Sequence, residues 1–316
     1  MTNPSRTAAL ELTKRLVAFD TINPPGREAD CAEYLAAWLA EAGIAAELAS
    51  FGEGRANLLA SAGGSEERPP LTFTGHIDTV PLGAAAWTRD PFAGELSEGR
   101  LYGRGSSDMK SGVAAFAVAL ADLAGRLEGS PGVRLVITGG EETGCEGAAH
   151  LAAAGRLSQG GALIVGEPTA NAPFAGHKGA LWLRATACGV TAHGSMPELG
   201  DNAIYKAARA VSRLEGHSVS PLRHEQMGGA TLNVGTIHGG LNLNSVPDLA
   251  EIGIDIRTVP GCSHREIRAA LADHLGSEVS LEPIVDVAPV WTDPGNEWFR
   301  RLCEIAAEVT GEARAP

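Results

Sequence analysis

Residues 71–81 read "LTFTGHIDTVP". The first five are short, β-branched and aromatic, the composition of a buried strand. The run then ends in His76 and Asp78, two groups that are costly to bury unless they are paired. In open α/β sheets, ligands bind outside the carboxyl ends of the strands. The pair is therefore either a capped surface turn or part of something built at the end of the sheet.

Working outward, the first half of the chain alternates helix and strand. Ala9, Leu12, Leu16 and Phe19 recur at helical spacing behind Ser5, the expected cap. Cys31, Leu35, Trp38, Leu39 and Ala42 repeat the pattern, and Gly43 supplies the stop. "NLLAS" (57–61), "VRLVITGG" (133–140) and "ALIVGE" (162–167) are further predicted strands. Between them "KSGVAAFAVALADLAGRL" (110–127) is apolar nearly all round and reads as a buried helix. The expected fold class is α/β, with a mixed, largely parallel sheet and helices on both faces.

Past residue 175 the texture changes. "ALWLRATACGV", "DNAIYKAARAVSRL", "ATLNVGTIHGG", "AEIGIDIRTVP", "SHREIRAALADHL" and "EVSLEPI" read as β-α-β-β-α-β, the ferredoxin-like α+β unit. "PVWTDPGNEWFRRLCEIAAEV" (289–309) then opens another helix. The expected organisation is a first domain over 1–175, a second inserted over 176–288, and a return to the first over 289–316.

Composition narrows the function class. The chain has 316 residues, 44 % of them hydrophobic, which suits a packed globular protein of two domains. Its formal charge is 25 − 38 = −13, which argues against a nucleic-acid partner and fits a protein handling small molecules. Cys31, Cys145, Cys188, Cys262 and Cys303 are odd in number and never spaced C-x-x-C, so they read as reduced thiols. The N-terminus lacks a signal peptide's apolar core and no run reaches membrane-spanning length. A soluble cytoplasmic enzyme or binding protein is the expectation.

Acids gather at the predicted strand ends. Beyond His76 and Asp78, "VRLVITGG" ends in Glu141 and Glu142, "ALIVG" ends in Glu167, and Asp108 lies in the glycine-rich turn that opens the buried helix. Such carboxylates in one crevice repel one another and push at least one pKa up. A divalent cation reverses that balance. Mixed imidazole and carboxylate ligands suit zinc, and cobalt or manganese would also serve. So many acids exceed the need of one ion, which favours a bridged pair. Asp78 is placed to accept the other imidazole N–H of His76. Of the adjacent Glu141 and Glu142, one can bind metal while the other takes a proton from water. Each motif alone has a plainer reading, a capped turn or a solvated charge pair; their shared position at strand ends favours the metal site.

"GHIDTVP", "GRGSSDMKSG", "GGEETG" and "GEPT" together resemble the metal-ligand motifs of the M20 metallopeptidase and deacylase family, which includes acetylornithine deacetylase and succinyl-diaminopimelate desuccinylase. The resemblance runs the length of the chain. It implies two zinc ions per subunit: His76 and Glu167 on one, Asp108 bridging, Glu142 on the second, with Glu141 as general base. It also implies a cis peptide after Asp108. "GVTAHGSMPELGDNAI" resembles the family's lid motif, which makes His193 an oxyanion donor reaching a partner subunit's site; without the resemblance, His193 reads as a turn histidine before a helix. "GGLNLNSVPDLAEIGIDIR" implies that Asn244 and Arg257 grip a substrate carboxylate, the alternative for Arg257 being an exposed strand-end charge. The inserted domain would serve as lid and homodimer interface.

One family ligand has no counterpart. The resemblance implies a sixth ligand, a histidine near the C-terminus, yet residues 289–316 contain no histidine. The expectation is therefore a truncated chain, or one that binds metal poorly. The expected function is metal-dependent hydrolysis of the amide bond in an N-acyl amino acid or small peptide. The alternatives are a dipeptidase or carboxypeptidase of the same family, or a non-catalytic dimerising binding protein.

Overall fold

The structure is a computed structural model that describes residues 4–65, 68–157 and 161–313. The chain forms two compact units, Met1–Asn171 and Ala172–Pro316. The second holds both the expected inserted segment and residues 289–313.

In the first unit, helices α1 (Pro4–Val17) and α2 (Ala29–Glu41) precede the strands β1 (Ala46–Gly52), β2 (Arg55–Ala62) and β3 (Leu71–His76). A small hairpin, β4 (Glu95–Ser97) and β5 (Arg100–Tyr102), leads to α3 (Lys110–Leu123). Then follow β6 (Val133–Thr138), α4 (Glu146–Ala153) and β7 (Leu163–Val165). The sheet order is β1-β2-β6-β3-β7. Pairing is antiparallel from β1 through β2 to β6, and parallel from β6 through β3 to β7.

Alternation along the strands sorts the side chains to two faces. Leu58, Leu135 and Ile137 join Leu12, Leu16, Leu35, Leu39, Val113 and Leu120 in the main core under α1, α2 and α3. Their neighbours Leu59 and Val136 point the other way, onto Leu151 of α4. Both faces being covered, β6 carries the continuous apolar run Leu135, Val136 and Ile137. Phe73 of β3 stacks on Phe116 of α3 with ring centroids 4.4 Å apart, which docks the buried helix on that strand.

Two local expectations change. Ser5 lies inside α1, and its hydroxyl donates to Asp122 Oδ2 at 2.5 Å, because tertiary contact with α3 offers it a carboxylate. Strand β1 escaped the sequence reading because "AELASFG" is half exposed and carries no apolar run; pairing with β2 creates it.

The second unit has the ferredoxin-like topology. The strands β9 (Gly179–Cys188), β12 (Thr231–Gly239), β13 (Leu249–Thr258) and β14 (Ser280–Val287) form an antiparallel sheet in the order β12-β13-β9-β14. Two-stranded pairs flank it: β8 (Gly176–His177) with β15 (Val290–Trp291), and β10 (Arg223–His224) with β11 (Gly228–Gly229). Leu181, Leu183, Ile252, Ile254 and Ile256 face α5 (Ala203–Leu214) and α6 (His264–Leu275). Helix α5 presents Ala203, Ala207 and Ala210, small enough for close approach, while the N-caps Asn202 and Ser263 accept from Tyr205 N and Glu266 N. The last helix, α7 (Glu297–Thr310), is capped by Asn296 and closed by Gly311 at φ 76°.

Leu135 is fully buried at the centre of the strand that leads to the paired glutamates. Leu135→Ala is expected to cost about 2–5 kcal/mol, read as a lower denaturant midpoint.

Candidate metal centre

Three parallel strands end side by side, and their carboxyl ends carry the site. Strand β3 lies between β6 and β7, with His76 opposite Thr138 and Thr74 opposite Val165. The chain therefore delivers His76 from the centre, Glu141 and Glu142 from one side, and Glu167 from the other. Asp108 arrives from the turn before α3, and the Asp108–Met109 peptide is cis, as the family resemblance implied.

His76 is the hub. Its Nε2 lies 3.2 Å from Asp108 Oδ1, 3.8 Å from Glu167 Oε1 and 3.9 Å from Glu141 Oε2. Its Nδ1 lies 3.0 Å from the backbone carbonyl of Asp78 and 3.4 Å from its carboxylate, so Nδ1–H donates to Asp78 and Nε2 faces the acids. The imidazole and Asp78 are buried, whereas the side chains of Asp108, Glu141 and Glu167 are 58 %, 42 % and 36 % exposed. A closed base thus carries an open acidic rim. Donor atoms of His76, Asp108 and Glu142 all lie within 4.8 Å of one another.

The electrostatics follow from this crowding. Burial, then the charges of Asp108, Glu141 and Glu142 acting against His76, push Glu167 up to about 7. Burial, opposed by His76 and reinforced by Asp108 and Glu141, likewise raises Glu142. The hydrogen bond to His76 holds Asp108 below the usual carboxylate range. Burial works against charge on both His76 and Asp78. For His76, the hydrogen bonds to Asp108 and Asp78 outweigh it and carry the imidazole to about 11. For Asp78, the partners His76 and Asn23 outweigh it and hold the carboxyl low. Without a cation, a proton on His76 has to offset this cluster. A divalent ion fits the donor set: one imidazole, several oxygens and an open rim.

Sequence reasoning overlooked what holds Asp78. Asn23 Nδ2 donates to Asp78 Oδ2 at 2.9 Å and to Thr143 Oγ1 at 2.8 Å. Asp78 also accepts from the backbone N–H groups of Glu141 (3.1 Å) and Glu142 (3.2 Å). An asparagine in "NPPG" looks like turn chemistry, and only the fold shows its partner. Lys110, two residues beyond Asp108, is buried and donates to the Phe19 carbonyl at 2.9 Å; burial lowers its pKa.

The remaining candidates lie in the second unit. His193 and Asn244 sit on adjoining segments: Gly194 N donates to Asn244 O at 2.7 Å, and His193 bridges to Ser245. His193 Nδ1 is 2.8 Å from Ser195 Oγ. Arg257 Nε lies 2.9 Å from Asp255 Oδ1, and its guanidinium sits 5.8 Å from the Trp182 ring centre.

The raised His76 gives a signed pH dependence for metal-free protein. Its folded pKa of about 11 exceeds the unfolded value of about 6.5, so its stabilisation is complete below about 6.5 and is lost as pH rises towards about 11. In chelator, the denaturant midpoint should fall from pH 7 to pH 10, and His76→Asn should flatten that decline.

The chain has relatives. Residues 72–316 match the model of peptidase family M20/M25/M40. A probable succinyl-diaminopimelate desuccinylase of Staphylococcus aureus is 31 % identical over 97 % of this chain and 84 % of its own length. Among solved structures, an M20 family metallo-carboxypeptidase from Sulfolobus solfataricus shares the fold at TM-score 0.76 and 17 % identity, over 99 % of this chain and 85 % of that one. A tripeptidase from Staphylococcus aureus does so at TM-score 0.71 and 22 % identity, over 98 % and 83 %. Among the described residues no helix is long and apolar enough to cross a membrane. With a family match over residues 72–316 and a relative 31 % identical over 97 % of its length, the chain belongs to peptidase family M20/M25/M40 and is a hydrolase of amide bonds.

Proposed function

We propose that this hydrolase removes an acyl group, succinyl or acetyl, from the amino group of an amino-acid-like substrate bearing a free carboxylate. The observation that carries the reading is the set of acids facing His76 Nε2 at 3.2–3.9 Å. Relatives about 31 % identical that carry the desuccinylase name support the acyl-amino-acid class. Peptide cleavage is the second reading, favoured by the tripeptidase and carboxypeptidase titles of the fold relatives.

In this reading His76, Asp108, Glu142 and Glu167 hold a pair of divalent ions, with zinc as the proposed metal. When bound, such ions polarise a carbonyl and lower the pKa of water. Glu141, on the open rim, accepts the proton of the attacking water and returns it to the leaving amine. Asp78 fixes the ring of His76 and, through two backbone amides, the positions of both glutamates. From the motif resemblance, His193 of a second subunit stabilises the oxyanion, and Asn244 and Arg257 receive the substrate carboxylate; the guanidinium fork suits that task. The same resemblance makes residues 176–288 the lid and dimer interface and assigns 289–316 to the catalytic domain. Support for a homodimer comes from edge strand β12, where exposed Ile237 borders an apolar depression of about 250 Å³ lined also by Ile204, Ala207 and Ala250.

Glu141→Gln should retain bound metal by elemental analysis and lose about 10²–10⁴-fold in kcat. Wild-type turnover in that variant would remove Glu141 as the base. Arg257→Met should raise KM for N-acetyl and N-succinyl amino acids more than it lowers kcat, and an unchanged KM would release Arg257 from carboxylate binding.

A further inference from the structure

Two buried polar residues of the first unit obey no local rule. Glu28 stands at the N-cap of α2, where a short oxygen-bearing side chain would ordinarily satisfy the first helical amides, yet it makes no such bond. Asn57 lies inside β2, a position that disfavours asparagine. Both are completely buried. Such departures call for compensation elsewhere.

Both side chains lead to the same turn. Glu28 Oε1 accepts from Gly140 N at 3.1 Å, and Asn57 Oδ1 accepts from Gly139 N at 3.1 Å. The next two amides, those of Glu141 and Glu142, go to Asp78. Four consecutive backbone donors are thus received by three buried side chains from three separate segments. The carbonyls are engaged as well: Gly139 O and Gly140 O accept from Gly147 N and Glu146 N at the start of α4. Asn57 Nδ2 completes the tie by donating to Gly147 O at 3.1 Å. The charge of Glu28 is matched by the fork of Arg55, at 2.8 and 3.1 Å, and Arg55 also reaches Glu146.

The contacts leave no slack. A Cβ on Gly139 would lie 2.8 Å from Glu28 Cδ, and one on Gly147 would lie 2.2 Å from Asn57 Oδ1. Close approach to Glu28 and Asn57 is therefore why glycine occupies both positions.

We propose that Glu28 and Asn57 are positioning residues for the reaction: they hold the Gly139–Gly147 turn so that Glu141 and Glu142 meet His76, with Arg55 neutralising Glu28. Glu28 and Asn57 are fully buried and act through the turn alone. The proposal rests on Glu141 as the base, and its test separates the two.

Glu28→Gln keeps an acceptor for Gly140 N–H but loses the charge pair, whereas Glu28→Met loses both. If the acceptor matters, Glu28→Gln holds kcat near wild type. Glu28→Met then loses about 10–100-fold, the range for partners that orient a site, with KM within about threefold, assayed with added zinc on N-succinyl and N-acetyl amino acids. Hydrogen exchange by mass spectrometry, which needs neither metal nor substrate, should quicken in 139–147 in Glu28→Met. The double variant Glu28→Met/Arg55→Met strands no buried charge and replaces the single one if that fails to fold. Wild-type kcat in folded Glu28→Met or the double variant, or an equal loss in Glu28→Gln, overturns the proposal. Glu141→Gln runs alongside: if it turns over like wild type, the base assignment fails and hydrogen exchange alone decides, unchanged exchange in 139–147 overturning the bracket.

Discussion

Mutual repulsion among Asp108, Glu141, Glu142 and Glu167 around a single imidazole is the constraint on which the first unit turns. Burial first, and then the neighbouring carboxylates, raise Glu167 to about 7. Relief comes from positive charge, a proton on His76 or a divalent ion in its place. The fold concentrates the problem by ending three parallel strands together, and it leaves the rim open where a cation and substrate can enter.

Beneath that rim the polar groups are densely bonded to one another. Asp78 is a buried carboxylate with the His76 ring on one side and Asn23 and two amides on the other. A group so fully bonded resists displacement, since leaving any of its donors unpaired in the interior costs about 1–3 kcal/mol. The same reasoning extends to Glu28 and Asn57, which secure the preceding residues of the glutamate turn. The backbone that carries Glu141 and Glu142 is thus held by side chains that never reach the solvent. This is the preorganisation that charge-handling sites require, because dipoles already oriented need no rearrangement as charge develops.

The second unit is built on a different economy. Its sheet has one face under α5 and α6 and another that bears Trp182, Arg184, Glu251, Asp255 and Arg257. Antiparallel sheets tolerate such one-sided covering, whereas the doubly covered β6 and β3 do not. Polar residues on the uncovered face are therefore where recognition chemistry can vary without disturbing the core.

Much of this was legible in the residues. Apolar runs such as "VRLVIT" and the alternation in "AEIGIDIRT" imposed strands because burying them is the dominant gain on folding. The acids at strand ends announced the site, since nothing in local propensity would put them there. Strand β1, the role of Ser5 and the partners of Asn23, Glu28 and Asn57 were decided only by tertiary structure. Their hydrogen bonds join residues 27 to 120 positions apart, or, for β1, depend on a neighbour strand. Periodicity reports which face a residue presents to its own element; only the assembled sheet determines which distant donor that face will meet.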